Sequence, residues 1–242
     1  MNIGAQIIAA GIVLTAIGLL RKAGAKSSKA VCTQTSVKNR KVLLFGDSQA
    51  QTALGVAICR QLEAADGVCN VAVSTNGGKS SYQNRIKQKL DKLVTDTTRF
   101  TDVVLIFGVN DIANGKSAAS TRSNINKLAS IAGQRGARVY IVPPTTWNKY
   151  SGRTATLPGR QQNTVELQAA LMLDARANVS LLPYQQGSYI VVGDKGLPSY
   201  SRLWGKQGLD RQLSTDGLHY NTSAGRAAVA QHIAKAMTTK CN

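Results

Sequence analysis

The sequence is poor in acidic residues and in aromatic residues. Its 12 Asp and Glu residues stand against 30 Lys and Arg in 242 residues, which gives a formal net charge of +18. Such a charge indicates a polyanionic partner: anionic lipid, an acidic envelope glycan or nucleic acid. Aromatic residues make up only 5% of the chain and are not interleaved with the basic residues in one segment. We therefore expect no specific nucleic-acid interface.

Cysteine is also sparse, and the spacing of the four cysteines does not resemble a zinc site. One local pair and one terminal pair suggest two disulfides, Cys59–Cys69 and Cys32–Cys241, and hence an oxidising compartment. Four unpaired, buried cysteines are the alternative. We expect neither a bound metal nor a cofactor.

The chain has one long apolar run, at its N-terminus. Residues 3–20 carry no charge, and a helix of this length spans about 27 Å at ~1.5 Å per residue, close to the hydrocarbon thickness of a bilayer. We predict a transmembrane anchor over residues 1–22 that contacts membrane lipid; a cleaved signal peptide is the alternative. Glycines recur every seven residues in this run and would let a partner membrane helix approach, although glycine is also common in membrane helices.

Residues 23–40 are rich in basic and small polar residues and contain no acidic residue. This composition predicts a flexible linker that lies along anionic lipid headgroups. By the positive-inside rule its charge would keep the following domain in the cytoplasm, whereas the predicted disulfides favour the opposite side. We expect a single-pass membrane protein with an extracytoplasmic domain, periplasmic or in the cell envelope; a virion membrane is the alternative.

Apolar runs alternate with stretches of helical spacing over residues 41–242, and no internal repeat is evident. The apolar runs fit buried parallel strands, and they occupy residues 41–45, 70–73, 103–107, 138–142 and 179–182. The helical stretches occupy residues 50–65, 80–95, 117–135, 160–176 and 222–238. This alternation predicts one α/β domain in which helices cover both faces of a five-stranded parallel sheet, a three-layer α/β/α arrangement.

Four short polar motifs occur in order along this domain. The first three follow the first three predicted strands, so they lie at the sheet edge where ligands bind. Each motif alone is equally typical of ordinary turns and helix caps. The motifs are Gly46-Asp47-Ser48-Gln49, Asn76-Gly77-Gly78, Gly108-Val109-Asn110-Asp111 and Asp216-Gly217-Leu218-His219.

Together the motifs contain the residue types that ester hydrolysis requires. Ser48 is the candidate nucleophile, and His219, one of two histidines, is the candidate base. Asp216 is close enough along the chain to orient the imidazole, and Asn110 offers an uncharged amide donor for an oxyanion. The other histidine, His232, is assigned to the surface or a face of the C-terminal helix.

The order and spacing of the four motifs resemble those of the SGNH hydrolases, also called GDSL-type esterases and lipases. The resemblance covers roughly residues 40–238 and implies a flavodoxin-like fold with a Ser48–His219–Asp216 triad. It also implies an oxyanion hole made by the backbone N–H groups of Ser48 and Gly78 and by the side chain of Asn110. Gln49 stands where the family usually has leucine, and Gly77 is an alternative to Gly78 because the glycine spacing is loose.

Residues 183–215 have little periodicity and form a long connection before Asp216, which predicts an active-site rim. Aromatic side chains near this rim would stack on sugar rings, or would instead pack against the domain. The aromatic candidates are Trp147, Tyr189, Tyr200 and Trp204.

The sequence thus predicts a membrane-anchored serine ester hydrolase that removes acetyl or other acyl groups from an envelope polysaccharide. A lysophospholipase or thioesterase of the same fold is one alternative. A weakly active or inactive structural protein of a virion or envelope is the other.

Overall fold

The apolar runs of the sequence become strands, and the stretches of helical spacing between them become helices. The computed structural model describes residues 32–34, 40–66, 70–96, 100–146, 158–178, 189–205 and 208–241. The strands in these ranges are β1 Cys32–Gln34, β2 Val42–Gly46, β3 Val71–Thr75, β4 Asp102–Ile106, β5 Arg138–Val142, β6 Ile190–Val191 and β7 Thr239–Cys241. The helices are α1 Thr52–Asp66, α2 Asn84–Thr95, α3 Val109–Ala113, α4 Ala118–Gln134, α5 Pro158–Asn178, α6 Tyr200–Trp204 and α7 Ser223–Thr238.

Five of the strands form one parallel sheet in the order β3-β2-β4-β5-β6. The prediction of a five-stranded parallel sheet in an α/β fold is therefore confirmed. The chain moves outward in opposite directions from β2 and from β4, so the sheet has a topological switch point between these two strands. Open α/β sheets bind their ligands at such a point, beyond the carboxyl ends of the strands.

Apolar cores lie on both faces of the sheet. Side chains alternate along β2, so that Val42 and Leu44 pack with α1 and α7, while Leu43 and Phe45 pack with α2, α4 and α5. Because both faces are covered, the central strands are apolar at nearly every position. The result is the predicted three-layer arrangement.

The carboxyl ends of β2 and β4 leave no room for a side chain at position 46. Gly46 is the register partner of Ile106, and a Cβ at Gly46 would clash with the Ile106 carbonyl oxygen. The Asp47 N–H group donates to that same oxygen at 3.0 Å. Only glycine permits this approach, which places the turns that leave the two strands side by side.

The fifth strand of the sheet is not where the sequence predicts it. Ile190 and Val191 pair with Tyr140 and Ile141 of β5, whereas the predicted run at 179–182 lies outside the described residues. The prediction of an irregular rim throughout 183–215 is thus wrong at β6. Two residues are too few to show the alternation by which a strand is recognised in a sequence.

A separate two-stranded sheet joins β1, which lies within the predicted linker 23–40, to β7. The two strands are antiparallel, and Cys32 is the register partner of Cys241. Facing residues of antiparallel strands have Cα atoms about 4.5 to 5.5 Å apart, a separation that disulfides span. Cys59 is disulfide-bonded, and Cys69 lies outside the described residues. The pairings Cys32–Cys241 and Cys59–Cys69 stay predictions.

Among the helices of the described ranges, none combines the length and the apolar character needed to cross a membrane. The predicted anchor, residues 1–22, lies outside those ranges, as does most of the predicted linker. The transmembrane helix and the domain limits 1–22, 23–40 and 41–242 therefore stay predictions.

Candidate active site

Ser48 lies in the turn that joins β2 to α1, at the switch point of the sheet. The turn is closed by the Ala50 N–H group, which donates to the Asp47 carbonyl oxygen at 3.2 Å. Ser48 is partly exposed, whereas every other residue from 42 to 50 is buried. The turn therefore presents one side chain, a hydroxyl, to the crevice at the sheet edge.

His219 joins Ser48 from the far end of the chain. The Ser48 Oγ lies 2.8 Å from His219 Nε2, and His219 Nδ1 lies 2.6 Å from Asp216 Oδ2. An ionised carboxylate only accepts hydrogen bonds, so the partners assign the imidazole hydrogen to Nδ1. Nε2 then offers a lone pair to the Ser48 hydroxyl, which is the tautomer that a general base requires.

Asp216 is held by its own turn. Its Oδ1 accepts hydrogen bonds from the Leu218 N–H group at 2.9 Å, the His219 N–H group at 2.8 Å and the Ser214 hydroxyl at 3.0 Å. Partial burial raises the pKa of Asp216, but the hydrogen bonds from His219 and Leu218 outweigh burial and lower it to about 2. The carboxylate is therefore ionised at neutral pH and fixes the imidazole orientation.

Asn110 lies in α3, directly beyond β4. Its Nδ2 donates one hydrogen bond to the Lys79 carbonyl oxygen at 3.1 Å. A primary amide carries two N–H groups, so this bond fixes the side chain and leaves the second N–H for a ligand. This is the arrangement that a side-chain donor of an oxyanion hole needs.

The predicted second backbone donor lies in the turn Asn76–Lys79. The Lys79 N–H group donates to the Asn76 carbonyl oxygen at 3.0 Å, and Gly78 has a φ of +67°. A positive φ at the third residue of a turn favours glycine, which distinguishes Gly78 from Gly77. No neighbouring atom lies within 4 Å of where a Cβ on Gly78 would be, so this backbone faces open space.

The three sheet-edge turns are hydrogen-bonded to one another. The Asn76 side chain donates to the Gly46 carbonyl oxygen at 3.1 Å. Buried Asp111 accepts from the Ser81 N–H group at 2.9 Å and from the Ser81 hydroxyl at 2.6 Å. Sequence reasoning missed Asn76, Ser81 and Asp111 as positioning residues, because their partners are about 30 residues away and no local pattern connects them.

Asp47, next to the candidate nucleophile, is fully buried. Its Oδ1 accepts from the Gln49 N–H group at 3.0 Å, while its Oδ2 has no hydrogen-bond partner among the residues that the structure describes. Burial, together with the charge of Asp111, raises the pKa of Asp47 to about 7. The residue that shapes the nucleophile turn therefore titrates near neutral pH.

His232 makes a second Ser–His contact, and it is buried in α7 rather than lying at the surface. Its Nδ1 accepts the Asp194 N–H group at 3.1 Å, and its Nε2 lies 3.0 Å from Ser199 Oγ. The hydrogen must therefore be on Nε2, which donates to Ser199 and cannot take its proton. Burial also lowers the pKa of His232 to about 4. This pair is structural.

Tyr189 and Trp204 follow the packing alternative to a rim role, because both side chains are buried in the cores on either side of the sheet. Trp204 Nε1 donates to the Pro143 carbonyl oxygen at 2.9 Å, and the partly buried Tyr200 packs on Trp204 with 5.6 Å between ring centroids. Large aromatic side chains gain more by covering a core than by facing water. Trp147 lies outside the described residues.

Several solved structures are similar in fold to this chain. The chain is similar to a lipase/acylhydrolase from Enterococcus faecalis, with 24% identity, 81% of this chain and 94% of that chain covered, and a TM-score of 0.56. It is also similar to a GDSL-like lipase from Bacteroides thetaiotaomicron, with 18% identity, coverage of 85% and 91%, and a TM-score of 0.58. A member of the lipolytic G-D-S-L family from Veillonella parvula has 18% identity, coverage of 80% and 95%, and a TM-score of 0.57.

These likenesses define the fold. The chain has the fold of the GDSL-type, or SGNH, lipases and acylhydrolases, as the motif resemblance predicts. No protein-family model and no curated protein matches the sequence. The residues at the site, rather than sequence identity, therefore carry the functional argument.

Replacing Asn110 by alanine tests the oxyanion hole. We expect Asn110→Ala to lower kcat for ester hydrolysis by ~10²-fold or more, the usual loss for one oxyanion donor, while the fold is retained. The measurement is steady-state hydrolysis of p-nitrophenyl acetate with circular dichroism as a check on folding. Asn124→Ala is the matched control, because the Asn124 amide donates to the Ser120 carbonyl oxygen within its own helix, α4. An unchanged kcat would remove Asn110 from the site.

The raised pKa of Asp47 predicts a pH dependence of stability. Between about pH 4 and pH 7 the unfolded chain ionises this carboxyl while the folded protein keeps the proton, so stability falls as the pH rises. The full effect is about 4 kcal/mol and is absent in Asp47→Asn, which cannot ionise. Urea denaturation of both proteins at several pH values measures the difference between their profiles. If stability changes with pH in the same way in both proteins, Asp47 titrates in its ordinary range. The control is Asp91→Asn, which removes a half-exposed carboxyl.

Proposed function

We propose that the chain is a serine ester hydrolase of the SGNH type. The observation that carries the proposal is the continuous hydrogen-bonded chain from Ser48 through His219 to Asp216, in the tautomer suited to proton transfer. The likeness in fold to lipases and acylhydrolases supports it. The structural Ser199–His232 pair, with the opposite tautomer, offers no competing nucleophile.

The first half of the reaction transfers the acyl group to the enzyme. Ser48 Oγ attacks the ester carbonyl carbon while His219 Nε2 takes the hydroxyl proton. The carbonyl oxygen becomes an oxyanion, which Asn110 and the backbone N–H groups of Ser48 and Gly78 would stabilise. The bond to the alcohol oxygen then breaks as the imidazolium returns the proton to that oxygen. Asp216 stabilises the imidazolium without becoming protonated.

The second half releases the acid. A water molecule loses a proton to His219 and attacks the acyl carbon, and the same donors hold the second oxyanion. The acyl–Ser48 bond breaks, and the proton passes from His219 back to Ser48 Oγ. Every proton transfer therefore passes through one nitrogen, Nε2, so both halves of the reaction depend on its position relative to Ser48.

The substrate that we propose is negatively charged. Lys79 directly follows Gly78, and Lys116, whose Nζ lies 4.7 Å from the Tyr82 ring centroid, follows α3. Arg160 reaches the end of α3 and donates to the Ala113 carbonyl oxygen at 3.1 Å. The acidic residues of these turns, Asp47 and Asp111, are both buried, and the exposed carboxylate at the site, Asp216, is paired with His219. The surroundings of the oxyanion donors thus favour an anion.

The biological setting that we propose combines these residues with the predicted membrane anchor. An apolar run at residues 3–20 followed by basic residues suits attachment to an anionic membrane. An acyl ester on an acidic envelope polysaccharide would then lie within reach of an extracytoplasmic domain. The net charge of +18 supports this class of partner.

Removing the nucleophile tests the enzyme proposal. We expect Ser48→Ala to lower kcat for p-nitrophenyl acetate by ~10³-fold or more in the full-length chain, because the triad acts as a unit. Ser199→Ala is the matched control, since it also removes a serine hydroxyl bonded to an imidazole and should leave the rate about unchanged. Equal rates for wild type and Ser48→Ala would refute the proposal.

Neutralising the lysines near the oxyanion donors tests the charge of the substrate. We expect the double variant Lys79→Gln, Lys116→Gln to raise KM for acetylated polygalacturonate, an anionic substrate, about 3- to 10-fold. This is the size of effect that two partly screened charges have. KM for neutral acetylated xylan should stay unchanged. Released acetate is the readout. The control pair, Lys87→Gln with Lys127→Gln, removes the same charge from α2 and α4. An equal effect of both pairs, or none, would contradict an anion site beside Gly78 and Asn110.

A further inference from the structure

Gln49, the residue after the candidate nucleophile, connects Ser48 to the loop that carries His219. Its side chain is buried. The Gln49 Nε2 donates to the Leu218 carbonyl oxygen at 2.7 Å, and the Gln49 Oε1 accepts the Tyr220 N–H group at 3.3 Å. Leu218 and Tyr220 are the two chain neighbours of His219. One planar amide therefore hydrogen-bonds to the backbone on both sides of the candidate base.

The other end of Gln49 is equally fixed. Its backbone N–H group donates to Asp47 Oδ1 at 3.0 Å within the nucleophile turn. The side chain therefore acts as a short rigid spacer between two segments that are 171 residues apart. Proton transfer depends on the 2.8 Å separation of Ser48 Oγ and His219 Nε2, and these two atoms belong to the segments that Gln49 connects.

Packing alone does not account for a glutamine here. Burying an amide costs about 1 to 3 kcal/mol unless it is hydrogen-bonded, whereas a leucine of similar size would carry no such cost. The Leu218 carbonyl oxygen already accepts the Thr145 hydroxyl at 3.1 Å, so it does not need Gln49 to be satisfied. What the amide adds is a link of defined length and direction to both neighbours of His219.

We propose that Gln49 is a positioning residue that holds the His219 ring at hydrogen-bond distance from Ser48. The catalytic consequence rests on the proposed function. The geometric claim does not, because it concerns the separation of two atoms in the resting protein.

Replacing Gln49 by leucine removes both contacts at nearly constant volume. In the full-length protein we expect Gln49→Leu to lower kcat for p-nitrophenyl acetate roughly 10- to 100-fold with KM unchanged, as a small misplacement of a catalytic group does. Labelling of Ser48 by a fluorophosphonate should slow by a similar factor. Gln49→Glu keeps an acceptor for the Tyr220 N–H group but, when ionised, places a second acceptor against the Leu218 carbonyl oxygen, so its kcat should fall as well.

Gln168→Leu is the matched control. Gln168 is also buried, and its Nε2 donates to the Pro144 carbonyl oxygen at 2.7 Å rather than to the backbone of either chain neighbour of His219. Loss of activity confined to the Gln49 variants supports the proposal. An unchanged kcat in Gln49→Leu, a change in KM alone, or an equal loss in Gln168→Leu overturns it.

A crystal structure of Gln49→Leu decides the geometric claim without turnover. We expect His219 Nε2 to lie beyond hydrogen-bond distance of Ser48 Oγ while the Asp216–His219 contact persists, because that contact lies within one turn. An unchanged 2.8 Å separation would refute the inference. If wild type hydrolyses no ester, the proposed function fails, and this structure still tests the role of Gln49.

Discussion

The close approach of β2 to β4 is the constraint on which the rest of the site depends. The Ile106 carbonyl oxygen occupies the space that a side chain at position 46 would need, and it accepts the Asp47 N–H group at 3.0 Å. The turns that leave these two strands carry Ser48 and Asn110, so the candidate nucleophile and the candidate oxyanion donor are placed by the backbone of the sheet. A larger residue at position 46 would separate the strands and both groups with them.

Two histidines each have Nε2 within hydrogen-bond distance of a serine hydroxyl. In each case the partner of Nδ1 decides whether Nε2 can accept the serine proton. At His219 a carboxylate accepts from Nδ1 and leaves Nε2 basic. At His232 a backbone N–H group donates to Nδ1, so Nε2 carries the hydrogen and Ser199 keeps its proton. A distance of about 3 Å between a serine and a histidine therefore does not by itself identify a nucleophile.

The sequence predicted what local patterns encode. The central strands are uninterrupted apolar runs, and the polar motifs follow them directly, so the sheet and the residues at its edge could be placed in advance. The burial of Tyr189 and Trp204 could not be predicted. The sequence of a long connection does not show whether its aromatic side chains face solvent or pack in a core. Gln49 could not be recognised either, since its partners are at the other end of the chain and its role exists only after the fold has brought them together.

The pairing of β1 with β7 has a mechanical consequence. Both flanks of the compact unit are joined in a short antiparallel ladder that is separate from the parallel sheet. Tension applied through either flank acts on this ladder, and the predicted Cys32–Cys241 disulfide would hold its two strands together. A pull from a tether would thus be borne by a sheet that shares no strand with the one carrying the turns of Ser48 and Asn110.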